Sequence, residues 1–203
     1  MKKLKTIVIC CFVAAIAAGC ASVSPQLYTL SPTAGPGGET SALTVTVGPV
    51  SLPPVVDRPQ LVMNTAPNQL QIDEFNRWAA PLKGEIARVV AENLSILLGS
   101  PYVAVFPQTI SVSPAYRVTI DVTRFESVPG DTARLTAVWR VRATADGRDQ
   151  ESASSLTEPL RDNAWAAIVA AHNRMIGIMS RDIAASIRKL SADAGKVVPA
   201  SGK

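Results

Sequence analysis

Two spacings of apolar residues alternate along this chain, and together they predict an α+β fold. In segments 43–72 and 116–158, apolar side chains mostly recur at every second position, which is typical of half-buried strands. In segments 78–98 and 162–190, they recur at every third or fourth position, which is typical of amphipathic helices. The order predicts one domain over residues 42–190, in which two long helices pack on one face of a mixed or mostly antiparallel sheet.

Turn residues divide the strand regions. A first strand at 43–50 ends before Pro53-Pro54, because proline cannot donate to a ladder. Residues 61–72 are typical of a hairpin that turns at 65–68. The strongest hairpin joins residues 116–123 to 134–143, with apolar side chains on one face and polar side chains on the other. Asp146-Gly147 then predicts a turn into a third strand at about 150–158.

The helices have recognisable ends. The first is predicted to begin near Trp78, with Pro81 in its first turn and Gly99 at its exit. Asp73-Glu74 would then lie at its entrance, where carboxylates interact favourably with the helix dipole. The last helix is predicted from about Asp162, as its N-cap, to Leu190. Residues 191–203 are small and polar, and are predicted to be a disordered tail.

The start of the chain is typical of a bacterial export signal. The first five residues carry three lysines and no acid, and residues 7–18 are almost continuously apolar. A basic start, an apolar run of about 7–15 residues and small residues at the cut site are the marks of such a signal. Its ending, Ala17-Ala18-Gly19-Cys20, resembles a lipobox, in which the cysteine is acylated. Residues 1–19 are therefore predicted to be a lipoprotein signal peptide, and Cys20 the lipidation site.

Two other interpretations of this start remain open. In the first, ordinary cleavage after Ala18 or Gly19 would leave Cys20 unmodified. In the second, the segment would stay as a membrane-spanning helix, but such a helix needs about 20 apolar residues and the run 7–18 is shorter. Ala21 stands where enteric lipoproteins retained in the inner membrane have aspartate, so the resemblance favours the outer membrane. Residues 20–41 are rich in Ser, Thr, Pro and Gly and are predicted to be a flexible tether, interrupted at 27–30 by a short strand that docks.

Composition changes this picture in two respects. Cys10 and Cys11 belong to the predicted leader, so Cys20 would be the only cysteine of the mature chain and no intramolecular disulfide would form. The formal charge of +4 falls to +1 without the three leader lysines, since 17 basic residues then face 16 acidic ones. We therefore expect no nucleic-acid partner.

The sequence contains no pattern typical of catalysis, metal binding or nucleotide binding. His172, the only histidine, has no partners at triad or zinc spacing and is interpreted as a packed helical residue. Neither GxGxxG nor GxxxxGK occurs. The arginines near the central hairpin are interpreted as a solvated face, with a lipid-headgroup or partner surface as the alternative; they are Arg134, Arg140, Arg142 and Arg148. We expect a non-enzymatic protein without catalytic residues, cofactor or metal.

Two motifs resemble those of a known family. One is the run 47–62, which contains Pro53-Pro54 and Asp57-Arg58-Pro59. The other is Phe75-Asn76-Arg77-Trp78-Ala79-Ala80-Pro81-Leu82. With Tyr28-Thr29-Leu30 and the central hairpin, they are similar to the ABC-type transport auxiliary lipoproteins, the PqiC-like (paraquat-inducible protein C) family, over roughly residues 20–190.

The resemblance implies a non-catalytic lipoprotein that is anchored in the outer membrane and faces the periplasm. It also implies two partners, an MCE-domain (mammalian-cell-entry-type) protein and an inner-membrane permease, in lipid transport between the two membranes. Copies of the subunit would assemble into a homo-oligomeric ring. Two alternatives remain. One is a lipid-binding carrier with its own acyl cavity, and the other is a structural lipoprotein of another envelope assembly.

Four motif residues are candidate partner contacts: Asp57, Arg58, Arg77 and Trp78. Arginine and tryptophan dominate interface hot spots, and the prolines of the first motif restrict the segment that presents Asp57 and Arg58. The structural alternatives are an ion pair between Asp57 and Arg58 and burial of Trp78 against the hairpin.

Overall fold

The computed structural model describes residues 24–35, 37, 40–107 and 113–196. The predicted leader, Cys20 and the last seven residues lie outside these ranges. Over the described residues the chain forms eight strands and two helices, which confirms the predicted α+β class. They are β1 (Gln26–Tyr28), β2 (Val45–Ser51), β3 (Gln60–Ala66), β4 (Gln69–Trp78), α1 (Leu82–Leu98), β5 (Val103–Val105), β6 (Tyr116–Val128), β7 (Thr132–Ala143), β8 (Asp149–Pro159) and α2 (Trp165–Lys196).

The larger sheet has five strands in the order β5-β2-β6-β7-β8. Strand β2 runs parallel to both β5 and β6, whereas β6, β7 and β8 form an antiparallel meander. The alternation of β6 and β7 turns residues such as Val118, Ile120, Leu135 and Trp139 towards the interior. Helix α1 contacts β2 and β5, and α2 contacts β7, β8 and α1. Both helices therefore cover the same face.

A second, smaller sheet has three strands in the order β1-β4-β3. Strand β4 pairs parallel to β1 and antiparallel to β3. Its register is interrupted, because Leu61 pairs with Asp73 while the preceding residue, Gln60, pairs with Arg77. Residues 74–76 are left over on β4 and form what we call the β4 bulge.

The start of the first helix was predicted too early. Residues 69–78 belong to β4, and α1 begins only at Leu82, so Asp73 and Glu74 lie in a strand instead of at a helix entrance. Pro81 is the residue before the helix, and proline disfavours helical geometry in the residue that precedes it. The exit is as predicted, since Gly99 adopts the left-handed conformation with φ of 60°.

The last helix is shifted towards the C-terminus. It begins at Trp165, and the Asp162 carboxylate accepts a hydrogen bond from the Ala164 amide (2.8 Å) in the turn just before it. Its helical residues continue to Lys196, past the predicted end at Leu190. Leu190 itself is buried, so packing supports the helix up to the point where the tail was expected to start.

Part of the predicted tether belongs to the folded domain. The short docked strand expected at 27–30 is confirmed as β1, which pairs with the end of β4. Leu30 is buried in the core, and the amides of Thr33 and Ala34 donate to Asn93 Oδ1 at 3.0 and 2.9 Å. The prediction of a tether over 20–41 is therefore wrong for this stretch, because its apolar and amide groups find partners on α1.

Candidate partner interface

The proline-rich segment between β2 and β3 is held in a compact turn. The amides of Val56 and Asp57 both donate to the Pro53 carbonyl (3.1 and 3.2 Å), and the Arg58 amide donates to the Val56 carbonyl (2.9 Å). Buried Leu52 and Val56 attach the segment to the core. Asp57 and Arg58 are thereby placed at the surface in a fixed backbone conformation.

The second motif meets the first where β4 ends. The Trp78 amide donates to the Pro59 carbonyl at 2.7 Å, and the Ala79 amide donates to the Tyr28 carbonyl at 2.8 Å. The two sequence motifs and the early Tyr28 are thus joined by backbone hydrogen bonds, although up to 50 residues separate them in the sequence.

Three of the four candidate contacts share one surface cleft. Asp57, Arg58 and Trp78 line a cleft of about 300 Å³, together with Pro59 and residues 79–82. We call this the Arg58 cleft. Arg77 lies next to the cleft on β4 but does not line it. Its guanidinium instead donates to the carbonyl of Glu74 (2.8 Å) and to the Glu74 carboxylate (3.1 Å).

The charges of the Arg58 cleft do not pair as the sequence suggested. Asp57 forms an ion pair with Lys83 of α1 at 2.6 Å, so the expected Asp57–Arg58 pair is not formed. Within the described part of the chain, the Arg58 side chain makes no hydrogen bond or ion pair, and its Nε is buried without a partner. The cleft therefore carries one guanidinium whose charge is not neutralised locally.

Trp78 is mostly a core residue. Its side chain is 8% exposed, and its ring meets Phe125 edge-to-face with 6.3 Å between centroids. Phe125 in turn stacks on His172 with centroids 3.7 Å apart. The predicted burial of Trp78 against strands is thus observed, and only part of its surface reaches the Arg58 cleft.

His172 is enclosed in the same core. Its Nε2 lies 2.9 Å from the Ser127 hydroxyl, and burial lowers the pKa of the imidazole to about 3. The histidine is therefore neutral at physiological pH. This arrangement agrees with the interpretation of His172 as a packed helical residue.

Sequence reasoning missed two exposed apolar residues near Arg77. Phe75, in the β4 bulge, is 51% exposed, and Leu27, which pairs with Arg77 across β1 and β4, is 64% exposed.

Asp73 holds the bulge by accepting from the amides of Phe75 and Asn76 at 2.8 and 2.9 Å. Although burial acts in the opposite direction, these hydrogen bonds lower the pKa of Asp73. Asp73 is the sequence signal for this bulge, because an aspartate side chain commonly accepts a hydrogen bond from the amide two residues later in a turn.

Three arginines of the hairpin, Arg134, Arg140 and Arg142, lie on the outer, exposed face of the larger sheet. Arg148, in the turn before β8, is half-buried and donates to the Leu190 carbonyl of α2 (3.4 Å). Arg140 pairs with Glu151 of β8, and Arg148 pairs with Asp146 at 2.7 Å. In the described ranges, no group of three or more His, Cys, Asp or Glu side chains is placed to hold a metal ion. None of the helices formed by the described residues is long and apolar enough to cross a membrane.

Comparison with known proteins agrees with this architecture. A family model described as an ABC-type transport auxiliary lipoprotein component matches residues 26–184. A crystal structure of an uncharacterized protein superposes with a TM-score of 0.66 at 20% identity, covering 81% of this chain and 99% of the other. A Xanthomonas campestris protein of the DUF330 family superposes with a TM-score of 0.63 at 19% identity, covering 82% and 99%.

A more distant similarity links the chain to the dodecameric PelC of Paraburkholderia phytofirmans. The TM-score is 0.41 at 15% identity, covering 73% of this chain and 92% of PelC, which is too low to inform on how this chain assembles. No curated protein sequence matches the chain.

Proposed function

The chain belongs to the family of ABC-type transport auxiliary lipoproteins, as its motifs predicted, and from this premise we propose a specific role. It is a non-catalytic, lipid-anchored subunit of an MCE-type lipid transport system. It is held in the outer membrane facing the periplasm, and it contacts an MCE-domain protein that works with an inner-membrane permease. The observation that supports this most is the family match, which extends from β1 through most of α2.

Lipidation at Cys20 would keep the domain close to the membrane. Because β1 begins at Gln26, five residues lie between Cys20 and the first strand, and the six residue-to-residue steps from Cys20 to Gln26 span about 20 Å at most when fully extended. The tether would therefore be much shorter than residues 20–41. Such a short connection favours a role in which the domain receives a partner at the membrane surface.

Within this proposal, the two sequence motifs form the partner surface. Asp57, Arg58 and the exposed part of Trp78 contribute through the Arg58 cleft, and Arg77 contributes beside the exposed Leu27 and Phe75. Assembly of the subunit into a ring remains part of the proposal and rests on the family resemblance alone.

The test is capture from crosslinked cell envelopes. The full-length protein with a C-terminal affinity tag is expected to recover an MCE-domain protein and a permease, and to incorporate labelled palmitate. Cys20→Ser is the matched control, and it should lose both the label and the membrane association. Recovery of another envelope assembly, or of no transport component, would contradict the proposed function.

A further inference from the structure

The Arg58 cleft combines an unpaired positive charge with apolar walls. We propose that it receives an acidic side chain, flanked by apolar residues, from the protein partner of the transport system. The inference rests on the proposed function for the existence of that partner, and it adds the chemistry by which this surface recognises it.

The unpaired charge belongs to Arg58. A guanidinium has five N–H donors, and the described residues provide no acceptor for any of those on this side chain. One of them, Nε–H, is buried, and a buried donor without an acceptor raises the free energy of the protein. An incoming carboxylate would satisfy this donor and form a charge-assisted hydrogen bond, which is stronger than a neutral one.

No acid within the cleft can take this role. Among the residues that line it, Asp57 is the only acidic one, and its carboxylate is already paired with Lys83 at 2.6 Å. The N-terminus of α1 opens onto the same cleft, and its first turn has no side-chain cap. Its helix dipole therefore adds positive potential beside Arg58. Charge complementarity then selects an anionic group from outside the domain.

The apolar lining of the Arg58 cleft favours apolar residues on either side of the partner's acidic side chain. Pro59, Pro81 and Leu82, together with two alanines, leave a shallow apolar surface around Arg58. The volume of about 300 Å³ lies at the lower limit of small-molecule sites, so it suits one or two side chains. A surface of small residues with an arginine and a tryptophan is typical of a protein contact.

Capture from envelopes tests the inference with two matched variants. Arg58→Met removes the charge but keeps most of the aliphatic stem. Arg142→Met does the same on the outer face of β7, where the arginine is exposed and forms no ion pair with any described residue. We expect Arg58→Met to recover at least tenfold less partner than the wild-type protein, and Arg142→Met to recover as much. Equal capture by both variants would overturn the inference and leave the proposed function standing.

A second measurement does not depend on the natural partner. The protein is labelled with 5-fluorotryptophan, and the Trp78 signal is assigned by its loss in Trp78→Phe. The probes are an acetylated, amidated Leu-Glu-Leu peptide, the same peptide with glutamine, and phosphatidylglycerol vesicles.

Saturable shifts of the Trp78 signal are expected with the glutamate peptide, at least tenfold weaker binding with the glutamine peptide, and no shift in Arg58→Met. Equal binding of both peptides, no binding, or a shift with vesicles alone would overturn the inference. The peptide measurement tests the inference independently, because it can be read even if the capture experiment recovers no transport partner and so contradicts the proposed function.

Discussion

At the scale of single residues, the surroundings of His172 determine its charge. Phe125 covers one face of the imidazole, Ser127 Oγ lies 2.9 Å from Nε2, and Nδ1 is buried without a described partner. Since burial penalises the imidazolium, the pKa falls to about 3 in the folded protein. The unfolded chain keeps a pKa of about 6.5. The unfolded state therefore binds the proton first as pH falls.

A pH-dependent loss of stability follows for His172. The stability that comes from a neutral imidazole is fully present above pH 6.5 and declines between there and the folded pKa of about 3. The free energy of unfolding should fall by about 2 kcal/mol between pH 7 and pH 5. Urea denaturation at the two pH values measures this change. His172→Gln, although less stable overall, should show a much smaller change, and an equal change in both proteins would contradict the assignment.

At the scale of elements, Glu85 attaches the N-terminal segment to α1. Its carboxylate accepts from the Leu30 amide (3.0 Å) and the Arg88 guanidinium (2.8 Å), as well as from the Thr29 hydroxyl. The hydrogen bond from Arg88 is the main reason that the pKa of Glu85 is lowered, although burial opposes it. An ionised carboxylate thus links β1 and the residues after it to the first helix.

Glu85→Gln is expected to loosen this segment. The amide retains the shape of the side chain but loses the charge-assisted hydrogen bonds, so the free energy of unfolding should fall by about 1–3 kcal/mol. Hydrogen exchange should quicken at residues 29–34. Glu92→Gln is the control, because Glu92 also contacts Arg88 (2.9 Å) but its side chain is 42% exposed, against 8% for Glu85. If the two variants lose equal stability, the attachment does not depend on Glu85.

Strand β4 shows how far an element can be predicted from its own sequence. The hairpin predicted over residues 61–72 is formed by β3 and the first residues of β4, although Leu70 and Ile72 are exposed, and β4 continues through the β4 bulge to Trp78. The bulge interrupts the two-residue period of apolar side chains. The sequence around Trp78 therefore predicts the start of α1, although these residues belong to β4. Pairing with β1, which lies about 50 residues earlier in the sequence, keeps this end of β4 extended.

At the scale of the whole molecule, the interior is filled by side chains. Met175, Ile176, Met179 and Ile183 of α2 are completely buried between the helix layer and the larger sheet. A cavity that reaches core residues such as Phe125 and His172 has a volume of about 10 Å³. That volume is about the minimum for one water molecule.

We therefore expect the domain to carry no acyl chain of its own. Native mass spectrometry of the Cys20→Ser protein, purified without its anchor, should give the mass of the polypeptide alone. A co-purifying phospholipid that survives gentle desolvation would instead favour the lipid-carrier alternative. Wild-type protein is the positive control, because its covalent anchor should appear as added mass.

The amino-acid order alone establishes the fold class, the central hairpin, the presence of two long helices and the family. These follow from local patterns, because the period of apolar residues records which face of an element is buried, and the motifs are contiguous in the chain. Three features come from tertiary packing: the second sheet, the packing of residues 31–34 on the domain, and the Asp57–Lys83 ion pair, which leaves Arg58 without a partner among the described residues. Each of these depends on which distant residues meet when the core packs, and no local pattern carries that information.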